Sequence, residues 1–233
     1  MTESAPARPA ALQERSRRSR QAILQAGYAL LEEQGIDALT VDAVAERAGM
    51  AVGSVFRRFG DKEGLLLAIQ HAFTESLQAE ITRRMSAERL RELTDPAAAI
   101  AEAVGAITDA FHAHEGLLRA FLLLGTRHDA VRAEGSRASA EGNGFFAAAL
   151  AHVPIAHQDR AAALDFAFRL VYATVAHRVT HGESLESDRP LPWDQMRDRL
   201  QAAVVAYLLG GVPAHAARRR ASTASRVTGR GLA

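Results

Sequence analysis

The sequence predicts an all-α protein, with an N-terminal three-helix domain of the helix-turn-helix kind and a larger helical C-terminal domain, about nine helices in all. Three observations carry this. Of 233 residues, 48% are hydrophobic but only 6% aromatic, the composition of a helical globular chain rich in alanine and leucine. Apolar residues recur at three- and four-residue spacing in almost every segment, and none alternates as a half-buried strand does. Between residues 40 and 62 two short periodic stretches flank Gly49, and the second stops at Gly60, which is helix, tight turn, helix.

Residues 1–14, with Pro6 and Pro9 among Ala, Ser and Glu, offer no helical face and are expected to form a disordered arm. Ser16 to Gln34 is the first helix, with Ala22, Ile23, Ala26, Leu30 and Leu31 as its stripe and Gly35 as its stop. The helix from Thr40 buries Val41, Val44, Ala45 and Ala48; Thr40 can cap it, and Asp42 sits in its first turn where the macrodipole favours an anion. Val55 and Phe59, four apart, give the next helix a buried edge, and Ser54, Arg57 and Arg58 point away. These elements make a DNA-binding domain over 15–60.

Asp61 is placed to cap a long helix running from Lys62 to about Met85, the start of the larger helical domain over 61–210. Thr94-Asp95-Pro96 signals the next helix, 96–113. Leu117–Leu124 forms another, and an alanine-rich helix spans 128–152. Within it Gly142-Asn143-Gly144 predicts a weak point, each glycine costing about 1 kcal/mol against alanine, either a bend or a loop between two helices. Gln158–Thr180 and Trp193–Leu209 are the last long helices, separated by a polar, proline-bearing loop. The tail, 211–233, carries five arginines and no acid and is expected to be disordered.

Absence of cysteine excludes a disulfide framework and thiolate chemistry. No apolar run reaches the roughly 20 residues of a membrane helix, and no signal region opens the chain, so a soluble, cytoplasmic protein is expected. Net charge is +1, and acids balance bases over residues 1–70; placement therefore matters more than the total. Arg15–Arg20 forms a basic run at the start of the first helix, either an arm onto DNA or a solvated segment. Arg57, Arg58 and Lys62, the chain's only lysine, surround the second short helix.

The stretch TVDAVAERAGMAVGSVFRRFGDK resembles the DNA-binding domain of TetR-family transcriptional regulators. Thr40, Val41, Val44, Ala45, Ala48, Gly49, Gly53, Ser54, Val55, Arg58, Phe59, Lys62, Glu63 and Leu65 carry the likeness, which reaches back through Ile23, Ala26, Leu30 and Gly35. It covers about the first third of the chain. Two departures stand out: Met50-Ala51-Val52 replaces the family's Val-Ser-Lys turn, and Phe56 replaces a tyrosine, removing a hydroxyl from a phosphate contact. The resemblance implies a ligand-responsive homodimer, most often a repressor of a palindromic operator. It implies as well that 61–210 is an effector-binding and dimerisation domain, in which a small, largely apolar effector would bind among the helices, tilt the helix after Asp61 and spread the recognition helices.

Side-chain chemistry allocates the rest. Thr40, Ser54 and Lys62 suit phosphates; Arg57 and Arg58 suit phosphates or a guanine edge; Ala51, Val52 and Gly53 allow close or apolar approach, as to a thymine methyl. Phe56 is either a sugar contact or a core edge. The two last long helices are too broadly apolar for one thin layer, and Phe168 and Val204 mark the faces expected to pair with a second subunit. Phe111, Leu122, Phe145, Phe168, Tyr172 and His177 are candidate effector contacts, each with plain core as its rival. The seven histidines from His112 to His181 form no ligand pattern beyond Asp109 with His112, so neither a metal nor a cofactor is expected. No phosphate loop, dinucleotide fingerprint, nucleophile elbow or HExxH motif is present, which disfavours an enzyme. The rival from another class is a ligand-independent, helical DNA-organising protein.

Overall fold

The computed structural model describes residues 8–185 and 187–210. Among them are ten α-helices and one short 3-10 turn: α1 (Arg8–Gln34), the 3-10 turn Ile36–Ala38, α2 (Val41–Arg47), α3 (Val52–Phe59), α4 (Lys62–Arg84), α5 (Ala87–Arg91), α6 (Pro96–Ala113), α7 (Glu115–Gly125), α8 (Asp129–Ala149), α9 (Arg160–His181) and α10 (Trp193–Gly210). The all-α expectation holds. These residues fall into two compact units, one within Met1–Gln78 and His114–Ala138, the other within Ala79–Ala113 and Ser139–Ala233. The divisions fall inside α4 and inside α8, so that both helices contribute residues to each unit.

In the first unit, Ile23, Leu24, Ala26, Leu30 and Leu31 of α1 are buried with Leu39, Val44, Ala45 and Val55. Ala22, expected in the α1 stripe, is exposed, and Leu24 takes its place. The helix begins at Arg8, earlier than the expected Ser16. Pro9 does not prevent this, because a first-turn residue needs no N–H. The remainder of the expected arm, residues 1–7, lies outside the described residues, as does the 211–233 tail.

At Gly27 of α1 a Cβ would lie 2.3 Å from Ile69 Cδ1, so the Ile69 side chain of α4 occupies the space that a larger residue would need. Phe73 of α4 anchors the α7 side of this core. It meets Phe121 stacked at 5.7 Å and Tyr28 and His114 edge-on at 6.2 and 5.8 Å.

The second unit is built around α6, buried on most of its circumference and in contact with α5, α9 and α10. Asp109 of α6 pairs with Arg84 of α4 at 2.6 Å and with Arg197 of α10 at 3.2 Å. The expected weak point at Gly142-Asn143-Gly144 is not a break: α8 runs through it. Asn143 donates to Asp165 of α9 at 2.6 Å, and this tie offsets the glycines' low propensity. Arg160 donates to the carbonyls of Leu150 and Val153 at 2.6 and 2.7 Å, serving carbonyls at the end of α8.

Candidate nucleic-acid interface

Helix α2 starts where Thr40 Oγ1 accepts the Ala43 N–H at 3.1 Å, and it ends at Gly49, whose φ of 64° is the left-handed conformation that favours glycine. Arg47 of α2 donates to both carboxylate oxygens of Glu33 of α1 through its two terminal guanidinium nitrogens. That hydrogen bonding holds the Glu33 carboxyl below its ordinary range. The turn then opens α3 at Ala51, an N-cap whose side chain makes no capping bond. Ala51 stands where the resembling pattern has serine, so the first N–H groups of α3 lack that local acceptor.

Only Val55 of α3 is buried. Val52 is 44% exposed and Phe56 57%; with Gly53 and Arg57, also exposed, they lie at helical spacing on one outward face. The exposure decides between the two readings of Phe56: it is a surface residue and not a core edge. Arg57 makes no hydrogen bond or ion pair to the described residues.

Arg58 behaves differently. Its Nη1 donates to Ser16 Oγ at 3.1 Å and to the Ser16 carbonyl at 3.2 Å, which ties α3 to the start of α1. Sequence reasoning missed Ser16, because nothing local announces a partner 42 residues away. At the far end of α3, Gly60 has a φ of 80°. Asp61 Oδ1 then accepts the Gly64 N–H at 2.8 Å, capping α4. Lys62 opens α4 and is exposed; Ser54 is half-buried. In the basic run, Arg17 and Arg18 both pair with Glu14, at 2.6 and 2.9 Å, and their hydrogen bonding lowers its pKa.

The candidate effector residues separate. Phe111, Phe168 and Tyr172 form one aromatic cluster in the second unit, with Tyr172 5.8 Å from Phe111 and 6.1 Å from Phe168. Burial raises the Tyr172 phenol's pKa. Phe145 does not join them. It is 42% exposed, and its neighbour Phe146 is the buried ring, 6.0 Å from Phe168. Leu122 belongs to the first unit. His177 lies farther along α9, beside His181. Asp109 and His112 go to different partners, since Asp109 takes two arginines while His112 stacks on Trp193 at 4.9 Å.

Residues 23–69 match the family model for bacterial regulatory proteins of the tetR family. An HTH-type transcriptional regulator BetI of Burkholderia mallei is 37% identical over 65 residues, covering 28% of this chain and 33% of that protein. The chain thus matches about a third of the length of such curated relatives. A crystal structure described as a TetR-family transcriptional regulator from Mesorhizobium loti shares the fold with a TM-score of 0.65 at 19% identity, covering 82% of this chain and 96% of that one. Another, from a Rhodococcus species, has a TM-score of 0.62 at 19% identity over 82% and 98% of the two chains. Residues 23–69 thus match the tetR family model, and over four-fifths of its length the chain shares its fold with these solved regulators.

Proposed function

We propose that the protein is a homodimeric, ligand-responsive DNA-binding regulator of transcription, a repressor released from a palindromic operator by a small, largely apolar molecule. The observation that carries this is the outward face of α3. Val52 and Phe56 stay in water although the unit beneath has a complete apolar core, and large exposed apolar residues beside an unengaged arginine mark a binding face. Val52 and Phe56 meet thymine methyls and sugars, Arg57 reads a base edge, and Lys62 with the uncapped start of α3 meets phosphates. Thr40 and Ser54 supply hydroxyls at the margin. Arg58, through Ser16, holds the helix at its angle.

For dimerisation, the supporting features are on α9 and α10. Phe166 is 51% exposed and lies 5.2 Å from Tyr207, next to exposed Ala202, Ala203 and Ala206. Such a face of small residues and one ring suits two-fold helix pairing, and a dimer sets recognition helices about 34–36 Å apart. Phe168 and Val204 are core residues, so charges there would unfold the subunit without testing its assembly. The effector reading rests on the Phe111, Phe168 and Tyr172 cluster. An effector acts only by preferring one arrangement of α4 over another, and operator and effector must weaken each other equally.

The test is selection of DNA sequences by the full chain, followed by titration against selected and random duplexes and sedimentation of Phe166→Glu. A selected palindrome bound at least about 1,000-fold above random DNA supports a regulator; near-equal binding identifies a DNA-organising protein instead. Phe166→Glu should sediment as a folded monomer, and an intact dimer would move the interface elsewhere.

A further inference from the structure

From Leu12 to Ala22, about three helical turns, no residue of α1 is buried, and Ile23 is the first that is. One contact to another helix holds this stretch, from Arg58 of α3 to the hydroxyl and carbonyl of Ser16. Followed backwards from Ile23, α1 therefore leaves the core, passes the rim of α3 at Ser16 and continues beyond it. Since α3 buries Val55 in that core and leaves its other side in water, the continuation runs out toward the side that α3 exposes.

Charge on this overhang is one-sided. Residues 8–31 hold five arginines and a single acid, Glu14. Helical phase puts Glu14 and Arg18 on the side of α1 opposite Ser16. Both Glu14 oxygens are engaged there, Oε1 by Arg18 and Oε2 by Arg17. Leu12 and Gln13 stand on the Ser16 side and Arg15 flanks it, all three exposed. Arg20 is taken up elsewhere, its charge acting on the Tyr28 phenol, which burial raises to about 12. Arg15 makes no hydrogen bond or ion pair among the described residues. The neighbouring helix offers it nothing, because α3 contains two arginines and no acid. Leu12 alone is too little apolar surface for a membrane or a helical partner, and the surplus of guanidinium calls for a polyanion.

We propose that the overhang of α1, through Arg15 and Gln13, binds backbone phosphates of the DNA flanking the bases that α3 reads. This rests on α3 being the reading helix. The eight residues from Ser16 back to Arg8 extend about 12 Å, the length of three to four base pairs at roughly 3.4 Å each. Such a contact carries no sequence information and adds to the salt dependence.

The test uses the full-length protein and two duplexes with the same selected operator. One ends at the outermost selected base pair, and the other continues about ten base pairs, one helical turn, on each side. Longer DNA attracts any cationic protein, so the readout is each variant against the unaltered chain. Arg15→Ala should weaken the extended duplex and lower its salt slope by about 1 per subunit, while binding to the trimmed duplex, which also reports the fold, stays unchanged. Arg15→Lys should restore most of the loss. Gln13→Glu should weaken the extended duplex alone, by bringing an acid to the phosphates. Arg18→Gln, altered on the opposite side, should keep the flank effect. Unaltered binding of the extended duplex by both Arg15→Ala and Gln13→Glu would overturn the proposal and leave the α3 reading standing. Equal losses from Arg15→Ala and Arg18→Gln would overturn it too, since they would show long-range charge and not contact. A Val52→Asp protein that still binds the trimmed duplex would remove α3 from the interface, and this proposal with it.

Discussion

Of the eight residues of α3 only Val55 is buried, whereas ten of the eighteen in α6 are. Both helices carry the apolar residues that sequence reasoning uses to find a core. In α3 the fold consumes one of them and leaves Val52 and Phe56 in water. In α6 the core takes every large one, Ile100, Val104, Ile107 and Phe111. An apolar side chain therefore carries functional information only after the core has been filled. The largest expected effect follows from this contrast. Val104→Asp in α6 buries an unpaired carboxylate and should cost several kcal/mol, enough to unfold the unit around it. Val52→Asp in α3 should leave denaturant stability within about 0.5 kcal/mol and abolish operator binding, because an acid would face the phosphates. Parallel urea melts and DNA titrations check both, and a Val52→Asp protein that still binds would remove α3 from the interface.

A second effect concerns charge inside the first unit. Glu134 of α8 accepts hydrogen bonds from Arg137 at 2.7 Å and Thr74 at 3.0 Å and contacts His71 at 2.9 Å. Led by the Arg137 bond, and against desolvation, these hold its pKa at about 2, down from 4.5. A carboxyl depressed in the folded state stabilises fully above its unfolded pKa, and that contribution is lost as pH falls through the folded value. The window is therefore about pH 4.5 down to 2, and the contribution is on the order of 1–3 kcal/mol after solvent screening. Glu134→Gln should flatten the acid limb of stability in that window. An unchanged limb would mean that Glu134 is no better served folded than unfolded.

Legibility followed the same contrast. Helix α3, its glycine stop and the Thr40 and Asp61 caps are local devices, so residues within a few positions of each other revealed them. Ser16 with Arg58, Asn143 with Asp165 and Gly27 with Ile69 join residues far apart in the chain, and no spacing rule reaches them. Asn143 is the instructive case: its two glycines predicted a weak point correctly in propensity, and one hydrogen bond to α9 overrode it. Phe145 and Phe146 were indistinguishable as letters, and only the helix phase decides which ring enters the core. Phe166 was detectable in principle, as the ring that falls off the α9 stripe.

Gly27 yields a smaller effect whose sign is the test. Alanine at a helix interior ordinarily gains about 1 kcal/mol over glycine. Here its Cβ would sit 2.3 Å from Ile69 Cδ1, and overpacking costs about 1–3 kcal/mol. Gly27→Ala should therefore destabilise the protein. Shortening the obstacle with Ile69→Val should recover part of that loss, giving a coupling of roughly 1 kcal/mol in a double-mutant cycle. Additive losses would mean that α1 and α4 have room to spare.

The smallest effects on stability separate the three cations around α3. Arg57 and Lys62 are exposed and hold no partner among the described residues, so removing either should leave the melting temperature unchanged. Their effects on DNA should differ in kind. Lys62→Ala removes one phosphate contact, which weakens all sequences alike and lowers the salt slope by about 1. Arg57→Ala removes a base-edge fork, costing about 1–3 kcal/mol on the selected operator and less on random DNA, so specificity falls along with affinity. Arg58→Ala belongs to neither class. It frees α3 from Ser16, so it should lower stability slightly and weaken the operator by loosening the helix. Ser16→Ala should reproduce part of that loss without touching any arginine, and leave the salt slope intact. If instead Arg58→Ala lowers the salt slope by about 1 while Ser16→Ala has no effect on the operator, then Arg58 leaves Ser16 for a phosphate when DNA arrives.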